Sequence, residues 1–209
     1  MPGRADEEPI LPFPVARHLV AAATKFRSTW LSTSLRSLRE RNLLDAYLGH
    51  LPREHHEAVV SSVPGVWLPI GVAIAHYEAC DALRLDEKEI IAIGRETSDR
   101  AQRKSVTTAT RLITPMLSAP VEVSPWPLLM QLHRQWERIW VGGAVGAFPL
   151  GPREARVEVV GWPCARIPYT RVAMRGVLLG MGTLFSRRVG IHEIEELMSG
   201  STLGWRVEW

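Results

Sequence analysis

Histidine and cysteine are the residues of this sequence that could carry catalytic or metal chemistry. The run Glu54-His55-His56-Glu57 offers adjacent metal ligands, but neighbouring side chains on a helix point about 100° apart and suit one ion poorly. Cys164 precedes a predicted helix, whose N-terminus lowers the pKa of a nearby thiol, yet no histidine lies close in sequence to act as its base. The GxSxG motif of serine hydrolases is absent. We therefore predict no catalytic residue, no metal site and no enzyme.

Two glycine motifs are similar to phosphate-binding loops but lack the residues that would complete them. GMGTLF, at 180–185, has Phe185 where the dinucleotide fingerprint has its third glycine, and it lies inside a predicted helix rather than after a strand. GGAVG, at 142–146, is not followed by Lys-Ser or Lys-Thr. Neither motif predicts a nucleotide site.

A long helix, predicted from Pro168 to Gly190, carries Gly176, Gly180 and Gly182 in its interior. Each interior glycine costs about 0.5–1 kcal/mol relative to alanine, so three of them imply that close approach of the backbone is useful. Two interpretations stay open. The helix packs tightly on the neighbouring strands, or it leaves room for a ligand between helix and sheet.

Eight tryptophans form the second unusual feature, since each combines a large apolar area with one N–H donor. A predicted helix at 124–140 places His133 and Trp136 on its apolar stripe. His133 there either lines a pocket, ligates haem or is a hydrogen-bonded core residue. We predict an apolar pocket between this helix, the glycine-rich helix and the sheet. Its candidate residues are His133, Trp136, Tyr169, Gly176 and Gly180.

The elements that must position these residues change character near residue 140. Helical periodicity predicts helices in the first part, whereas KFRSTWL, at 25–31, is either a strand or the first turns of a helix. Asp86 and Glu89 form a capping-box pattern at the start of one of these helices. The predicted helices span about 35–48, 52–63, 69–83, 86–113 and 124–140.

The second part reads as strand, strand, helix, strand, strand. Val157 and Val159 alternate with Arg156 and Glu158 on one predicted strand. On the last strand, the residues that share one face are Leu203, Trp205, Val207 and Trp209. The sequence thus predicts an α+β fold: a helical N-terminal half at about 15–140, then a small antiparallel sheet at about 141–209, with one long glycine-rich helix inserted between strand pairs. We expect residues 1–14 to be a mobile tail and 15–209 to form one domain.

Composition limits the setting and the partners. Two distant cysteines and an N-terminus without an export signal predict a cytoplasmic protein. The uncharged segment 58–77 is interrupted by Pro64, Gly65, Pro69 and Gly71, so we predict no membrane span. The net charge of +3 comes mainly from arginines interleaved with carboxylates, which argues against nucleic-acid binding.

Several phrases carry a resemblance that covers residues 25 to 209: VPGVWLPI, SPWPLLMQLHRQWERIWVGG, GPREARVEVVGWP, RVAMRGVLLGMGTLF and WRVEW. With them the chain resembles a family of myxobacterial paralogues of unknown function. More distantly it is similar to an α+β group that contains vinyl-reductase-type small-molecule-binding domains, haem–nitric-oxide-binding domains and Bet3-like vesicle-tethering subunits. The resemblance implies the same layout, and either an apolar ligand such as a lipid or haem, or pairing through the helices.

Departures from that group limit what the resemblance implies. Its haem-binding members have a proximal histidine and a spaced tyrosine–serine–arginine motif, whereas Tyr169-Thr170-Arg171 here lacks that spacing. Two cysteines cannot supply the metal cluster of the vinyl-reductase-type domains. We therefore predict no cofactor from the residues themselves. Our first hypothesis is a non-enzymatic small-molecule-binding or sensory domain with an apolar pocket, and the alternative is a homodimeric interaction module without a small ligand.

Overall fold

The computed structural model describes residues 9–113, 125–184 and 186–209, and the side chains of all of these except 101–113. The α-helices are α1 (Ser28–Glu40), α2 (Leu44–His50), α3 (Arg53–Val60), α4 (Ile70–Ala82), α5 (Glu87–Ile113), α6 (Trp126–Leu129), α7 (Leu132–Glu137) and α8 (Pro168–Gly182). The strands are β1 (Lys25–Arg27), β2 (Trp67–Pro69), β3 (Trp140–Val141), β4 (Ala144–Gly151), β5 (Glu154–Val160), β6 (Gly190–Glu193) and β7 (Thr202–Glu208).

The larger sheet is antiparallel throughout and has the strand order β4-β5-β7-β6. Because β4 and β5 precede α8 and β6 and β7 follow it, the predicted order of strand pair, helix and strand pair is confirmed. Val157 pairs with Trp205 and Val159 with Leu203, and all four side chains are buried. The α+β prediction is confirmed.

A second, three-stranded sheet lies in the N-terminal half, with the order β2-β1-β3. Phe26, at its centre, pairs with Leu68 on one side and Trp140 on the other. The segment KFRSTWL is therefore first a strand and then, from Ser28, a helix. Both alternatives for this segment are thus partly right, whereas β2 and β3 were not predicted, because strands of two or three residues are too short to show alternation.

Three predicted helices are shorter in the structure: two are split and one ends earlier. The helix predicted over 35–48 is split into α1 and α2 at Asn42, whose φ of 58° is left-handed, a conformation that asparagine tolerates well. The helix predicted over 124–140 is split into α6 and α7 around Met130. The glycine-rich helix ends at Gly182 rather than Gly190, because Gly190 pairs with Glu208 in the sheet. The predicted N-cap of α5 is confirmed, since Asp86 Oδ1 accepts a hydrogen bond of 2.8 Å from the Glu89 N–H.

No described helix is long and apolar enough to cross a membrane. The uncharged segment 58–77 instead contributes to three separate elements, α3, β2 and α4. The predicted absence of a transmembrane helix therefore holds for the described part of the chain.

The residues before β1 run along the larger sheet. Leu11 forms a bridge with Ala147 of β4, and its N–H donates to the Ala147 carbonyl at 3.0 Å. The Phe13 ring lies 6.0 Å from the Phe148 ring, centroid to centroid. This segment covers part of an edge strand whose backbone groups would otherwise lack partners. Mobility of residues 1–14 stays a prediction, since 1–8 lie outside the described residues.

Helices α5 and α8 meet through direct backbone contact. A Cβ placed on Gly94 would lie 2.1 Å from the carbonyl oxygen of Ala173, and one on Gly176 would lie 2.2 Å from that of Ile91. One turn later, a Cβ on Gly180 would lie 3.0 Å from the Ser98 Cβ. Gly176 and Gly180 thus face α5, whereas a Cβ on Gly182 would lie 2.7 Å from the Val189 side chain. Of the two interpretations, tight packing applies to Gly176 and Gly180, but their partner is a helix and not the strands.

Substitution of Gly176 by alanine should destabilise the fold. The added methyl group meets a backbone carbonyl that cannot move without shifting a helix, and overpacking of this kind costs roughly 1–3 kcal/mol. Urea unfolding followed by circular dichroism measures the loss. Gly49→Ala is the matched control, because a Cβ there meets nothing within 4 Å; it should stabilise the protein by up to about 1 kcal/mol. Equal stability of Gly176→Ala and wild type would contradict the close contact.

A cavity between the glycine-rich helix and the larger sheet

A cavity of about 210 Å³ lies between α8, α7 and the inner face of the larger sheet. Its lining is mainly apolar, with Ser98 and Gln135 as the polar members. We call it the sheet cavity. Besides these two residues it is lined by Trp30, Leu128, Leu132, Trp136, Ile139, Trp140, Val145, Val157, Val159, Met174, Val177, Leu178, Met181, Leu184 and Trp205.

The floor of the sheet cavity follows from strand alternation. Val157 and Val159 are two residues apart on β5, and Trp205 of β7 is the direct neighbour of Val157, so their side chains share one face of the sheet. Val145, opposite Val159 on β4, extends this face. The alternation noted in the sequence therefore produces the wall of the cavity as well as the core.

The opposite wall comes from the side of α8 that carries no glycine. Met174, Val177 and Met181 follow each other at helical spacings of three and four, on a side turned away from Gly176. Because Gly176 and Gly180 hold α8 against α5, the apolar side of α8 is directed towards the sheet. The same helix thus makes a tight contact on one side and a cavity wall on the other.

Tryptophan rings close the end of the cavity near α7. The rings of Trp136 and Trp140 stack with centroids 5.6 Å apart, and Trp140 meets Trp162 edge-on at 5.3 Å. The Trp136 indole N–H donates to the Gly142 carbonyl at 3.0 Å, which fixes the ring. Trp205 also lines the cavity, and its indole nitrogen is buried without a hydrogen-bond partner among the described residues.

The five candidate residues from the sequence lie in four different places. Trp136 lines the sheet cavity, whereas the half-exposed His133 lies outside it, with its Nε2 3.4 Å from Glu137 Oε2. Tyr169 lines a separate cleft, and Gly176 and Gly180 lie at the contact with α5. Ligand binding by these five residues stays a prediction.

Sequence reasoning did not single out most of the residues that line the cavity. Val157, Val159 and Trp205 were recognised only as members of strand faces, and Met174 and Met181 were not considered. A pattern in the sequence could have indicated the cavity-lining residues of α8: Met174, Val177 and Met181 recur at helical spacing on one apolar side of the helix.

The separate cleft has room for about one water molecule. Its volume is about 30 Å³, and it lies between α5, α8 and Trp162. The Trp162 indole N–H and the Thr170 hydroxyl are buried beside it without partners among the described residues. A buried water that accepts from Trp162 would satisfy one of these donors.

Charged residues of α1 and α5 form a network next to the sheet cavity. Arg41 holds Glu96 through contacts of 3.0 and 2.5 Å, and Arg100 contacts Glu40 and Glu96. The hydrogen bond from Arg41 is the largest of the effects that lower the pKa of Glu96. The network keeps α1 beside α5.

An open groove of about 1,100 Å³ adjoins this network, and we call it the arginine groove. Its charged residues are Arg27, Arg36, Arg100, Arg138, Glu96 and Asp99. Trp30, Gln135 and Ile139 line both the arginine groove and the sheet cavity, so the two spaces adjoin.

Neither cysteine is an activated nucleophile, and the described residues show no metal cluster. Burial raises the pKa of the Cys164 thiol to about 12, and it also raises that of Cys80, so both thiols stay protonated at neutral pH. Within the described ranges, no three histidine, cysteine, aspartate or glutamate side chains are grouped so that they could hold a metal ion.

Two solved structures show what the fold is similar to. An oxygen-binding H-NOX domain related to soluble guanylate cyclases, solved as its oxygen complex, has a TM-score of 0.55 and 13% identity, over 87% of this chain and 94% of that one. An H-NOX domain studied for the function of haem distortion has a TM-score of 0.54 and 13% identity, over 88% and 94% of the two chains. No protein-family model and no curated protein matches the chain, so the resemblance to the myxobacterial paralogues stays a prediction. The chain has the fold of H-NOX domains.

The residues of the sheet cavity do not fit haem. Haem iron is held by histidine, cysteine or tyrosine, or by methionine beside a histidine. All seven histidines lie within the described residues, and none of them lines the sheet cavity or the arginine groove. The cavity is also smaller than the roughly 300 Å³ at which pockets for drug-sized ligands begin. We therefore assign no haem to this cavity.

His76 is the one deeply buried histidine of the chain, and both of its ring nitrogens are engaged. Hydrogen bonds join Nδ1 to the Tyr47 hydroxyl at 2.8 Å and Nε2 to the Ser34 hydroxyl at 3.0 Å. Burial lowers the pKa of His76 to about 3, so the ring is neutral in the folded protein. His76 therefore links α1, α2 and α4, and neither of its ring nitrogens is available to coordinate a metal ion or haem iron.

His76 should make the fold sensitive to mild acid. The unfolded chain takes up a proton on this residue near pH 6.5, whereas the folded protein does so only near about 3, so stability falls as the pH drops through that window. Between about pH 7 and pH 5 the loss should be roughly 2 kcal/mol. In urea unfolding, His76→Gln should have a lower free energy of unfolding at pH 7 than wild type, and this free energy should depend less on pH. His50→Gln is the control, because His50 is exposed, and its free energy of unfolding should change with pH as that of wild type does. The same pH dependence in His76→Gln as in wild type would contradict the conclusion that His76 is neutral in the folded protein.

Proposed function

We propose that this chain is a non-enzymatic small-molecule-binding domain of a sensory or regulatory kind, which holds an apolar ligand in the sheet cavity. The observation that carries the proposal is the apolar lining, shared by α7, α8 and the larger sheet. Ser98 and Gln135 are the polar members of this lining. Desolvation of apolar surface supplies affinity, and the few polar groups supply orientation.

The position of the cavity supports a sensory role. Val177 and Met181 of α8 line it, while Gly176, beside Val177, touches the backbone of α5. A ligand that displaces α8 must also displace α5, since no side chain lies between the two backbones to absorb the shift. The H-NOX neighbours include an oxygen-binding domain related to soluble guanylate cyclases, so a ligand-binding role has a precedent in this fold. We place the protein in the cytoplasm, where its two buried, free cysteines would stay reduced.

A bulky substitution in the cavity should abolish binding of an apolar ligand. The uncharged dye N-phenyl-1-naphthylamine should bind wild-type protein saturably, with a rise in its fluorescence. Met181→Trp fills the space beside Val177 and should weaken dye binding by at least about tenfold, because the cavity has no spare volume for both.

Met130→Trp is the matched control for this experiment. Met130 is 47% exposed and does not line the cavity, so the same substitution there should leave dye binding unchanged. Urea unfolding verifies that both variants are folded. Equal dye affinity in Met181→Trp and wild type would overturn the placement of the ligand, and no saturable binding to wild type would overturn the proposed function.

We propose a homodimeric interaction module as the second candidate function, because one stretch of the surface is unusually apolar. Val60, Val63, Val66 and Trp67 lie within eight residues of each other and are 61%, 66%, 43% and 37% exposed. Trp67 is also on β2, an outer strand of the three-stranded sheet. A second copy of the chain packed here would bury these side chains.

A charge in this stretch should separate such a dimer. Native mass spectrometry of wild type should then give twice the mass of the polypeptide, and Val63→Glu should give the single mass, since a buried, unpaired carboxylate opposes association. Leu19→Glu, at another exposed apolar position, is the control and should remain dimeric. A wild-type protein that is monomeric at all concentrations would exclude this candidate.

A further inference from the structure

We infer that the ligand of the sheet cavity is an anionic amphiphile, whose apolar part lies in the cavity and whose negative group lies in the arginine groove beside Arg27 and Arg138. The inference rests on the proposed function, because it names the class of the ligand for the same site. It depends on three observations: the two spaces adjoin, two arginines of the groove lack ion-pair partners, and one of these has an unsatisfied buried nitrogen.

The sheet cavity and the arginine groove adjoin at three shared side chains. Trp30, Gln135 and Ile139 line both, so a ligand that spans the two spaces passes between these side chains. The cavity side is apolar, whereas the groove side carries charged and hydroxyl groups. An amphiphile matches this change in polarity, because each of its ends is solvated by the part that it meets.

The charges of the groove leave a local excess of positive charge next to the cavity. Of its four arginines, Arg36 is paired with Glu40 at 2.9 Å, and Arg100 is bound to Glu40 and close to Glu96. Arg27 and Arg138 have no ion-pair partner among the described side chains. They are therefore free to pair with a negative group.

Arg27 is held in place and carries an unsatisfied donor. Its guanidinium lies over the Trp67 ring, 4.6 Å from the centroid, which restricts its orientation. Its Nε is buried and has no hydrogen-bond partner among the described residues. A buried donor without a partner is unfavourable, so the side chain gains a hydrogen bond if it turns Nε towards an anionic oxygen in the groove.

The backbone brings the two arginines to the same side of the junction. The Arg27 N–H donates to the Ile139 carbonyl at 2.8 Å, and Arg138 is the residue before Ile139. Ile139 lines both spaces and both arginines line the groove, so the two residues lie near the junction with the cavity. Two guanidiniums of this kind favour a carboxylate or another small oxyanion over a neutral or cationic group.

Asp99 sets a limit on the charge that the groove accepts. It lines the groove and has no ion-pair partner among the described side chains, so it opposes an anion that extends towards α5. One compact negative group beside Arg27 and Arg138 fits this arrangement better than a polyanion does. The cavity volume of about 210 Å³ limits the apolar part to a chain or ring system of moderate size.

Ligands with the same ten-carbon chain and different head groups test the inference. Intact wild-type protein is titrated with decanoate, 1-decanol and decyltrimethylammonium, and binding is followed by the fluorescence of the tryptophans that line the cavity. Decanoate should bind at least about tenfold more tightly than 1-decanol, since hydrogen bonds between charged groups are stronger than those of a neutral hydroxyl. Decyltrimethylammonium should bind more weakly than either, because Arg27 and Arg138 repel it.

Neutral variants of the arginines show whether they are the cause. Arg27→Gln and Arg138→Gln should each weaken decanoate binding by about tenfold and leave 1-decanol binding unchanged. Arg134→Gln is the matched control. Arg134 is exposed on α7, four residues before Arg138, but does not line the groove. Asp99→Asn should strengthen decanoate binding. Arg138 is exposed, so its variant tests the inference even if Arg27→Gln does not fold.

The outcomes separate the inference from the proposed function. If 1-decanol and decanoate bind equally, or if both arginine variants bind decanoate as wild type does, the inference is wrong and the proposed apolar site stands. If none of the three chains binds and the neutral dye does not bind either, the proposed function is wrong, and the inference fails with it.

Discussion

The contact between the backbones of α5 and α8 is the constraint on which the rest of the structure depends. Gly94 and Gly176 have no side chain to separate the two helices, so each helix touches a main-chain carbonyl of the other. This contact fixes both the distance of α8 from the larger sheet and the side that it turns towards the sheet. The sheet cavity and the small water-sized cleft both follow from where α8 lies, because α8 contributes to the lining of each.

The sequence was informative wherever a pattern was long and local. The alternation of Val157 and Val159, the apolar face of the last strand and the N-cap at Asp86 all led to correct elements. The sequence was uninformative where structure arose from distant partners. The three-residue strand at Phe26 exists only because Leu68 and Trp140 meet it from far along the chain. Gly176 and Gly180 indicated close packing of α8, but only the structure shows that they pack against the helix α5.

The site shows the same limit. Trp136 stood out because tryptophan is rare and because it lies on an apolar stripe, whereas Met174 and Met181 are ordinary residues that line the cavity through the rotation of α8. His133 attracted attention as a residue type, yet the break between α6 and α7 leaves it beside Glu137 and outside the cavity. The fold is similar to that of H-NOX domains, yet no histidine lines the sheet cavity, so a shared fold does not determine the chemistry of a site.

The three-stranded sheet has a consequence for how the molecule assembles. Its central strand, at Lys25, pairs with Val141, so the two partners are separated by more than half of the chain. Such pairings are slow, because a long loop must be closed before any contact is gained. During synthesis on the ribosome, β1 cannot pair with β3 until residue 141 has emerged. The small sheet is thus completed only after residue 141 has emerged, and the junction beside Ile139, which follows from it, cannot form before then.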